Sequence, residues 1–542
     1  MPNKIDFIGG NTKRCLMAMA LPMIAAMFLN MMYNLVDSLW IGNLLGETAY
    51  AALTNSTPII LILTSVAMGA TNGVSILISQ AIGAKDKKKT ESLIATSFSV
   101  AVAFSLLVTI LLEAFLPGIL KALNTPAETY DMAYSYLAIY ILGYLAVYLY
   151  LYFTAVLRSF GNSMFQAVAM LVSTILNAIL NPIFIHFIGF HGAAIATLLS
   201  QVICLVFMLI YLKKKKLFAF KISAFDKSEV LPLIQKAIPS VIQQSIPAIS
   251  TTFLTALVST YSVTAIAAYG VTGKLETILF YPAMALNMVL TTIIGQCVGG
   301  SRYDRAKDYL KCALMYGCAL LVILSVLVVG FSKQLSGLFV KSEDVAAIVG
   351  TYFLIVSIGY ILNTVTNCYL GALNGMGKPS KSMFLMIFYY IVVRMPLAYL
   401  LSYLGLGLNG IWAAVLISHV VASIAASITG TVLARKNMDD FHFHLLRHTY
   451  TTNLLSHGAA PKDVQELLGH SDVSTTMNIY AHATREAKRT SARLLDKEGC
   501  RDGLKKVSLI SSRKGKNEGK GPNRGGENAG NASVFKGYRN FN

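Results

Sequence analysis

The sequence predicts an all-helical membrane protein with twelve transmembrane helices in two six-helix bundles, followed by a small soluble helical fragment. Three observations lead to this fold class: the composition, the length of the apolar runs, and short motifs that recur between the two halves. Of the 542 residues, 55% are hydrophobic and 13% are charged. A soluble domain carries roughly 25% charged residues, so the composition points to a chain that lies largely in lipid.

The apolar runs are each long enough for one membrane crossing, which takes about 20 residues in a helix. They predict spans near residues 15–41, 51–82, 91–117, 129–156, 163–188, 192–212, 234–259, 268–298, 309–332, 347–373, 382–404 and 408–434.

The basic residues cluster in alternate loops, whereas the opposite loops carry scattered cations such as Lys121, Lys333 and Lys341. Because cytoplasmic loops are enriched in Lys and Arg, this asymmetry predicts that both termini are cytoplasmic. The polar N-terminus is unlike a cleavable signal peptide, so we expect the first span to act as the insertion signal. The clustered residues are Lys85, Lys87, Lys88, Lys89, Arg158, Lys213 to Lys216, Arg302, Arg305, Lys307, Lys378 and Lys381.

Two motifs recur at a constant spacing of 216 residues. Gln80-Ala-Ile-Gly83 returns as Gln296-Cys-Val-Gly299, and Leu157-Arg-Ser-Phe-Gly161 returns as Leu373-Asn-Gly-Met-Gly377. Six spans per half give both halves the same topology, so we expect a pseudo-two-fold axis along the membrane normal and a cavity between the halves, as in secondary transporters. The predicted divisions are an N-terminus (1–13), two bundles (14–216 and 234–437) and a linker (217–233).

At these residues the chain resembles the multidrug and toxic compound extrusion (MATE) family in its bacterial branches, over residues 1 to about 437. The resemblance implies export of bulky, often cationic, organic compounds in exchange for Na⁺ or H⁺, without ATP or a prosthetic cofactor, across a bacterial inner membrane. It is carried by Leu21-Pro22, Asp37 followed by Gly42, Gly73, Gln80-x-x-Gly83, Leu157-Arg-Ser-Phe-Gly161, Asn177-x-x-x-Asn181-Pro182 and Gly192-Ala-Ala-Ile-Ala-Thr197.

Asp37 is the first candidate for the coupling residue, because an ionisable group inside a span costs about 2.5–3.5 kcal/mol to insert and so indicates function. The family's coupling Asp aligns here, and its carboxylate would exchange a proton or hold Na⁺. The alternative is that Asp37 lies near the outer end of span one and reaches into water. No fixed metal site is predicted beyond a Na⁺ at Asp37.

Asn177 and Asn181 lie one turn apart on span five, so their amides share a face. In the family this turn typically reads Asn-x-x-x-Asp, so Asn181 removes a carboxylate from the expected cation site. We predict that both amides, together with Tyr33, take part in coupling around Asp37. The alternative is that the amides only hold helices together. Pro22 is predicted to kink span one by removing a backbone donor.

The second half lacks the acids that one family branch places in spans seven and ten, because Pro247 and Asn363 stand at those positions. We therefore expect coupling to lie in the N-terminal half. Glu276 and Lys274 are interpreted as a neutralised pair at a helix end. Arg394 matches a family arginine that lines the cavity or supports the structure, and His419 is interpreted as a core histidine.

The last hundred residues resemble the end of the catalytic domain of tyrosine recombinases (phage integrases). His444, Arg447, His470 and Tyr480 match that family's late active-site positions, in which Tyr attacks a DNA phosphate. The family's earlier Arg and Lys would fall where this chain still crosses the membrane, so we expect an inactive remnant over residues 438–499. A basic tail at 500–542, rich in Gly and Asn, is expected to be disordered.

The sequence thus predicts a monomeric drug:cation antiporter that alternates access between its two bundles. Its expected partners are the lipid bilayer and small organic substrates, with at most non-specific nucleic-acid binding by the fragment and tail. Two other functions remain open at this point: a lipid-linked oligosaccharide flippase of the same superfamily, and DNA recombination by the C-terminal fragment.

Overall fold

The computed structural model describes residues 5–122, 125–215, 224–340 and 342–436, and within these ranges the regular structure is entirely helical. The spans are α1 (Thr12–Gly46), α2 (Ala52–Gly83), α3 (Lys87–Ala122), α4 (Ala127–Leu142 and Tyr144–Ser159), α5 (Ser163–Ile188), α6 (Phe190–Lys215), α7 (Val230–Ser259), α8 (Val263–Gly299), α9 (Tyr303–Gly330), α10 (Glu343–Gly375), α11 (Pro379–Ile387, Phe388–Arg394, Met395–Leu401 and Ser402–Leu406) and α12 (Gly407–Lys436).

By length and composition, ten helices among the described residues qualify as membrane spans, and the pair in α4, bent by 50°, adds an eleventh. One of the ten, Pro379–Gly430, is 52 residues long. At 1.5 Å per residue it would extend about 78 Å, more than twice a hydrocarbon core of about 30 Å. Its backbone breaks at Gly405 and Gly407, both with positive φ, and the segments on either side pack together. This stretch therefore holds two crossings, α11 and α12, and the twelve predicted spans each have a helix.

Side chains at several helix starts satisfy backbone N–H groups that the helix itself leaves unpaired. The Asn162 side chain accepts from Phe165 N at the start of α5, and the Ser262 hydroxyl accepts from Ala265 N at the start of α8. These caps fix where the helices begin, between a polar loop and an apolar run.

The backbone repeats at the same spacing as the motifs. Gly161 and Gly377 both have positive φ, at 82° and 77°, in the loops that precede α5 and α11. Lys85 and Ser301, which are also 216 residues apart, have φ of 58° and 56°. A positive φ is uncommon for a residue with a side chain. Its occurrence at matched positions confirms the internal repeat in the fold.

At one end of the bundle, α2 and α8 cross at two glycines, which we call the reciprocal crossing (Gln80, Gly83, Gln296 and Gly299). A Cβ added to Gly83 would lie 2.0 Å from the carbonyl oxygen of Gln296, and one added to Gly299 would lie 2.0 Å from that of Gln80. The two helices therefore touch backbone to backbone, and only glycine fits at these positions.

The glutamine side chains of the reciprocal crossing bond across the two halves in the same reciprocal way. Gln80 Nε2 donates to the carbonyl of Gly375 at 2.9 Å, and Gln296 Nε2 donates to that of Ser159 at 2.6 Å. Ser159 and Gly375 are themselves 216 residues apart. The recurring motifs thus meet at one place and close this end of the space between the halves.

The N-terminal segment packs against the same end. Phe7 is 1% exposed, and its ring lies beside Gly161 of the first half. Its carbonyl accepts hydrogen bonds from Tyr309 Oη at 3.1 Å and from Arg305 Nη2 at 3.3 Å, both in the second half. This segment therefore connects the two halves where the reciprocal crossing joins them.

Arg158 differs from the expectation of a solvated loop cation. It is 3% exposed at the end of α4, and its Nη1 lies 4.0 Å from the sulfur of Met288 on α8. The remaining clustered cations that the structure describes, such as Lys85 and Lys381, are exposed at this end of the bundle.

Candidate functional site

Asp37 lies within α1, nine residues before the break at Gly46, where α1 packs against α5 and α6. It is 8% exposed, so the side chain does not reach into water as the alternative interpretation required. Within the described ranges, the ion pairs are Lys89–Glu229 and Arg302–Asp304, and neither involves Asp37. A buried carboxylate without an ion-pair partner must be held by hydrogen-bond donors.

Two donors hold one oxygen of this carboxylate. Asn181 Nδ2 donates to Asp37 Oδ1 at 2.7 Å from α5, and Thr197 Oγ1 donates to the same oxygen at 3.2 Å from α6. Asn181 Nδ2 also donates to Asn177 Oδ1 at 3.1 Å. The amide that replaces the family's second carboxylate therefore contributes a donor to the remaining one.

Tyr33 joins the same cluster through α6 and not through Asp37 directly. Its hydroxyl lies 3.1 Å from the carbonyl oxygen of Thr197 and 3.1 Å from Ser200 Oγ. Asn177 Nδ2 lies 3.4 Å from Thr197 Oγ1 and closes the network. Every member is less than a tenth exposed, so the cluster is a polar centre inside a hydrophobic bundle.

One atom of the cluster lacks a protein partner. The side-chain oxygen of Asn181 is buried and accepts no hydrogen bond from the residues that the structure describes. Buried polar atoms rarely go unpaired without a reason. An anionic carboxylate, amide oxygens and a hydroxyl oxygen are the ligand types that hard monovalent and divalent cations prefer, and a carboxylate alone can hold a proton.

The structure brings together Asp37, Asn177, Asn181 and Tyr33 as the sequence predicted, and it adds Thr197 and Ser200. Both additional residues lie one turn apart on α6, at or just after the motif Gly192-Ala-Ala-Ile-Ala-Thr197. Their i, i+3 spacing on an otherwise apolar span was the signal that sequence reasoning missed. Pro22 lies in α1 about four turns from Asp37, buried and within continuous helix.

In the second half, the two positions without acids behave as expected from their side chains. Asn363 is 2% exposed and accepts a hydrogen bond from Asn367 Nδ2 at 3.2 Å, which joins two turns of α10. Pro247 lies inside α7. Neither residue is placed beside a carboxylate through the described contacts.

The interpretation of Glu276 and Lys274 as a neutralised pair at a helix end is wrong. Glu276 lies more than three turns inside α8, and its Oε1 accepts hydrogen bonds from the hydroxyls of Tyr352 and Tyr360 on α10, the latter at 2.7 Å. Lys274 points elsewhere, with its Nζ 5.4 Å from the ring centroid of Phe339. An i, i+2 spacing puts side chains on different faces of a helix, which explains the separation.

Arg394 and His419 lie on α11 and α12 in the same half. Arg394 is 6% exposed, donates through Nε to Ser418 Oγ at 2.8 Å, and has Nη2 3.1 Å from His419 Nε2. Its guanidinium carbon lies 4.3 Å from the centroid of the Tyr390 ring. His419 is a fully buried core residue that supports this arginine.

The recombinase-like residues His444, Arg447, His470 and Tyr480, and the ranges 438–499 and 500–542, lie outside the described residues. Their predicted inactivity remains a prediction.

Comparison with known proteins supports a division of the chain at this point. The MatE family model matches residues 22–183 and again 239–400, and the two matches begin at Pro22 and Pro239. The Phage integrase family model matches residues 419–487, starting inside α12.

Individual relatives agree with the two family matches. The chain is 29% identical over 431 residues to YpnP, a probable multidrug resistance protein of Bacillus subtilis strain 168, which covers 78% of this chain and 95% of YpnP. A crystal structure of a multidrug resistance MATE family transporter in an outward-facing conformation superposes with a TM-score of 0.76 over 80% of this chain and 98% of its own, at 22% identity. The C-terminal part is 39% identical over 75 residues to the tyrosine recombinase XerC of Bacillus subtilis, which covers 14% of this chain and 22% of XerC.

Proposed function

The chain belongs to the MatE family of multi-pass membrane transporters, and from that premise we propose that it exports organic compounds, often cationic, in exchange for Na⁺ or H⁺. The names of its relatives refer to multidrug resistance, which supports a broad range of substrates. In this proposal the exchange takes place at Asp37.

The observation that carries the proposal is the burial of Asp37 among neutral donors. The carboxylate is 8% exposed, receives hydrogen bonds from Asn181 and Thr197, and has an unpaired amide oxygen nearby. Such a site is electrically incomplete until it binds a cation. A cation bound there changes the charge of the bundle, so it favours one of two conformations over the other and can drive a substrate outward.

The reciprocal crossing supports alternating access between the bundles 14–216 and 234–437. It closes the end of the bundle that carries the basic loops, which by the positive-inside rule faces the cytoplasm. We propose that the conformation described is the outward-facing one, with both termini in the cytoplasm of a bacterial inner membrane. Export would then require the crossing to separate so that substrate enters from the cytoplasm.

The C-terminal recombinase-like fragment is proposed to play no part in transport. The chain spans only 22% of the length of XerC that it matches. Strand transfer needs several cations preorganised around one phosphate, and so short a piece supplies only part of them.

The experiment that tests this function is ethidium efflux from proteoliposomes that contain the full chain, under an imposed Na⁺ or proton gradient. The expected result is efflux that follows one of the gradients in the wild type and is independent of both gradients in Asp37→Asn. The matched control is Asp131→Asn, the same substitution at an exposed position of α4, which should transport as the wild type does. Gradient dependence that persists in Asp37→Asn would refute the coupling role.

A further inference from the structure

Glu276 is a second acidic side chain inside the membrane bundle, and the proposed function does not use it. It is partly buried in the middle of α8, where Tyr352 and Tyr360 both donate to its Oε1. Both tyrosines are 2% exposed or less, so the hydroxyls are fixed and directed at the carboxylate. Among the residues that the structure describes, the printed contacts of Glu276 leave its other oxygen, Oε2, without a donor.

The charged and titratable groups around Glu276 come from four helices. Tyr352 and Tyr360 face it from α10, and Arg394 on α11 lies close enough to act on its charge. Tyr269 on α8 is near enough to interact electrostatically with both Glu276 and Arg394. From α12, His419 bonds Arg394 and lies 6.3 Å, ring to ring, from Phe280, which itself lies 5.6 Å from Tyr360. Lys274 points away to Phe339.

This level of α8 borders the N-terminal half, because the next residue, Thr277, contacts the sulfur of Met31 on α1 at 3.2 Å. Glu276 is not a copy of Asp37 in the repeat. The residue 217 positions after Asp37 is Leu254, and the residue 217 positions before Glu276 is Ile59, and both are buried and apolar. Each half therefore has an acid of its own at an unrelated position.

We propose that Glu276 is a second exchange site, which carries a proton, in the C-terminal half of the transporter. This inference deepens the proposed function and rests on it. In the outward-facing state a proton passes from external water to the carboxylate oxygen Oε2, while the tyrosines keep their own protons and continue to donate to Oε1. In the inward-facing state the proton leaves to cytoplasmic water and the carboxylate is ionised again.

The neighbouring charge explains why a proton suits this site better than a metal ion. Na⁺ needs about six oxygen ligands, whereas here the two hydroxyls direct hydrogen atoms at the carboxylate. The guanidinium of Arg394 would also repel a metal ion. When Glu276 is ionised it balances Arg394, and when it is protonated the positive charge of Arg394 is left uncompensated. A protonated site therefore disfavours an organic cation in the adjoining cavity, which is the mutual exclusion that antiport requires.

The test measures how many protons are exchanged for each ethidium ion by full-length protein in proteoliposomes. With the membrane potential held at zero, the pH difference that balances a fixed ethidium gradient reports this number. Glu276→Gln should exchange one proton fewer per ethidium than the wild type. The matched control Glu343→Gln, at an exposed position in the first turn of α10, should exchange the same number as the wild type.

A second substitution separates the carboxyl group from the fold. Glu276→Asp keeps an exchangeable carboxyl group and should keep the wild-type proton number while its transport rate shifts along the pH axis, and it replaces the Gln variant should that protein not be recovered intact. An unchanged proton number in Glu276→Gln, or a wild type that exchanges no protons, would overturn this inference. Failure of the proposed function would look different, as efflux that ignores every gradient or persists unchanged in Asp37→Asn.

Discussion

At Asp37 a single oxygen atom receives both described hydrogen bonds, so each donor should contribute measurably to cation binding. Thr197→Val removes the hydroxyl that lies 3.2 Å from Asp37 Oδ1 while it keeps the shape of the side chain. A hydrogen bond to a charged group contributes about 1.5–3 kcal/mol, so we expect the apparent affinity for the coupling cation to change roughly 10- to 100-fold. The measurement is efflux rate against the concentration of that cation.

Thr197→Ser is the control for this prediction, because it keeps the hydroxyl and removes only a methyl group. Its cation affinity should stay within a few-fold of the wild type. Equal affinities for the Val and Ser variants would show that Thr197 contributes packing alone.

The residue scale also shows what a sequence can and cannot reveal about a site. Asp37 was predictable because a carboxylate inside an apolar run stands out on energetic grounds, and the pair Asn177 and Asn181 followed from helical spacing. Thr197 did not stand out, because threonine is common in membrane helices and its partner is distant in the chain. Glu276 was misinterpreted because Lys274 is near it in sequence, whereas its tyrosine partners are 76 and 84 residues away.

At the scale of elements, the reciprocal crossing predicts strict limits on side-chain size. Gly299→Ala places a Cβ against the Gln80 carbonyl, so α2 and α8 must move apart, at a cost of about 1–3 kcal/mol. We expect a lower melting temperature and faster maleimide labelling of Cys297, which is fully buried beside the crossing. Thermal denaturation and peptide mass spectrometry measure the two effects.

Gly83→Ala should have the same effect as Gly299→Ala, because each glycine faces the other half's glutamine in the same geometry. Gly270→Ala provides the control on α8, since an added Cβ there meets no atom within 4 Å. It should leave Cys297 protected and stabilise the helix by up to about 1 kcal/mol. Labelling of Cys297 in Gly270→Ala as fast as in Gly299→Ala would contradict the role of the crossing.

Element by element, the apolar runs predicted every span, because about 20 apolar residues can only be satisfied in lipid as a helix. The breaks were harder to predict. Gly143 bends α4, and Gly405 separates α11 from α12 in a stretch whose composition is uniformly apolar. Such breaks depend on single glycines in a tertiary context, which hydropathy averaged over a window does not resolve.

For the whole molecule, the described fold ends with α12 at Lys436, and we predict that a chain truncated after Asn437 transports as the full chain does. Initial rates of ethidium efflux per reconstituted molecule should agree within two-fold, by our own criterion of equivalence. A truncated protein that inserts normally and fails to transport would assign the C-terminal part a role in the transport cycle.

The same whole-molecule view predicts that the full chain performs no DNA strand transfer, because it matches only a fifth or so of a recombinase. Incubation with a labelled DNA duplex should yield no covalent protein–DNA product on a denaturing gel, with an intact tyrosine recombinase as the positive control. A covalent adduct that disappears in Tyr480→Phe would contradict this prediction.

The reciprocal crossing has a consequence for the origin of the molecule. A contact in which glycine and glutamine of one copy meet glutamine and glycine of the other is self-complementary, as in the isologous interface of a two-fold dimer. Such an interface needs only one sequence to specify it. A gene for a single half would have encoded a protein that pairs with itself through this contact, and duplication with fusion then allowed the two copies to diverge, so that Asp37 and Glu276 could arise in different halves.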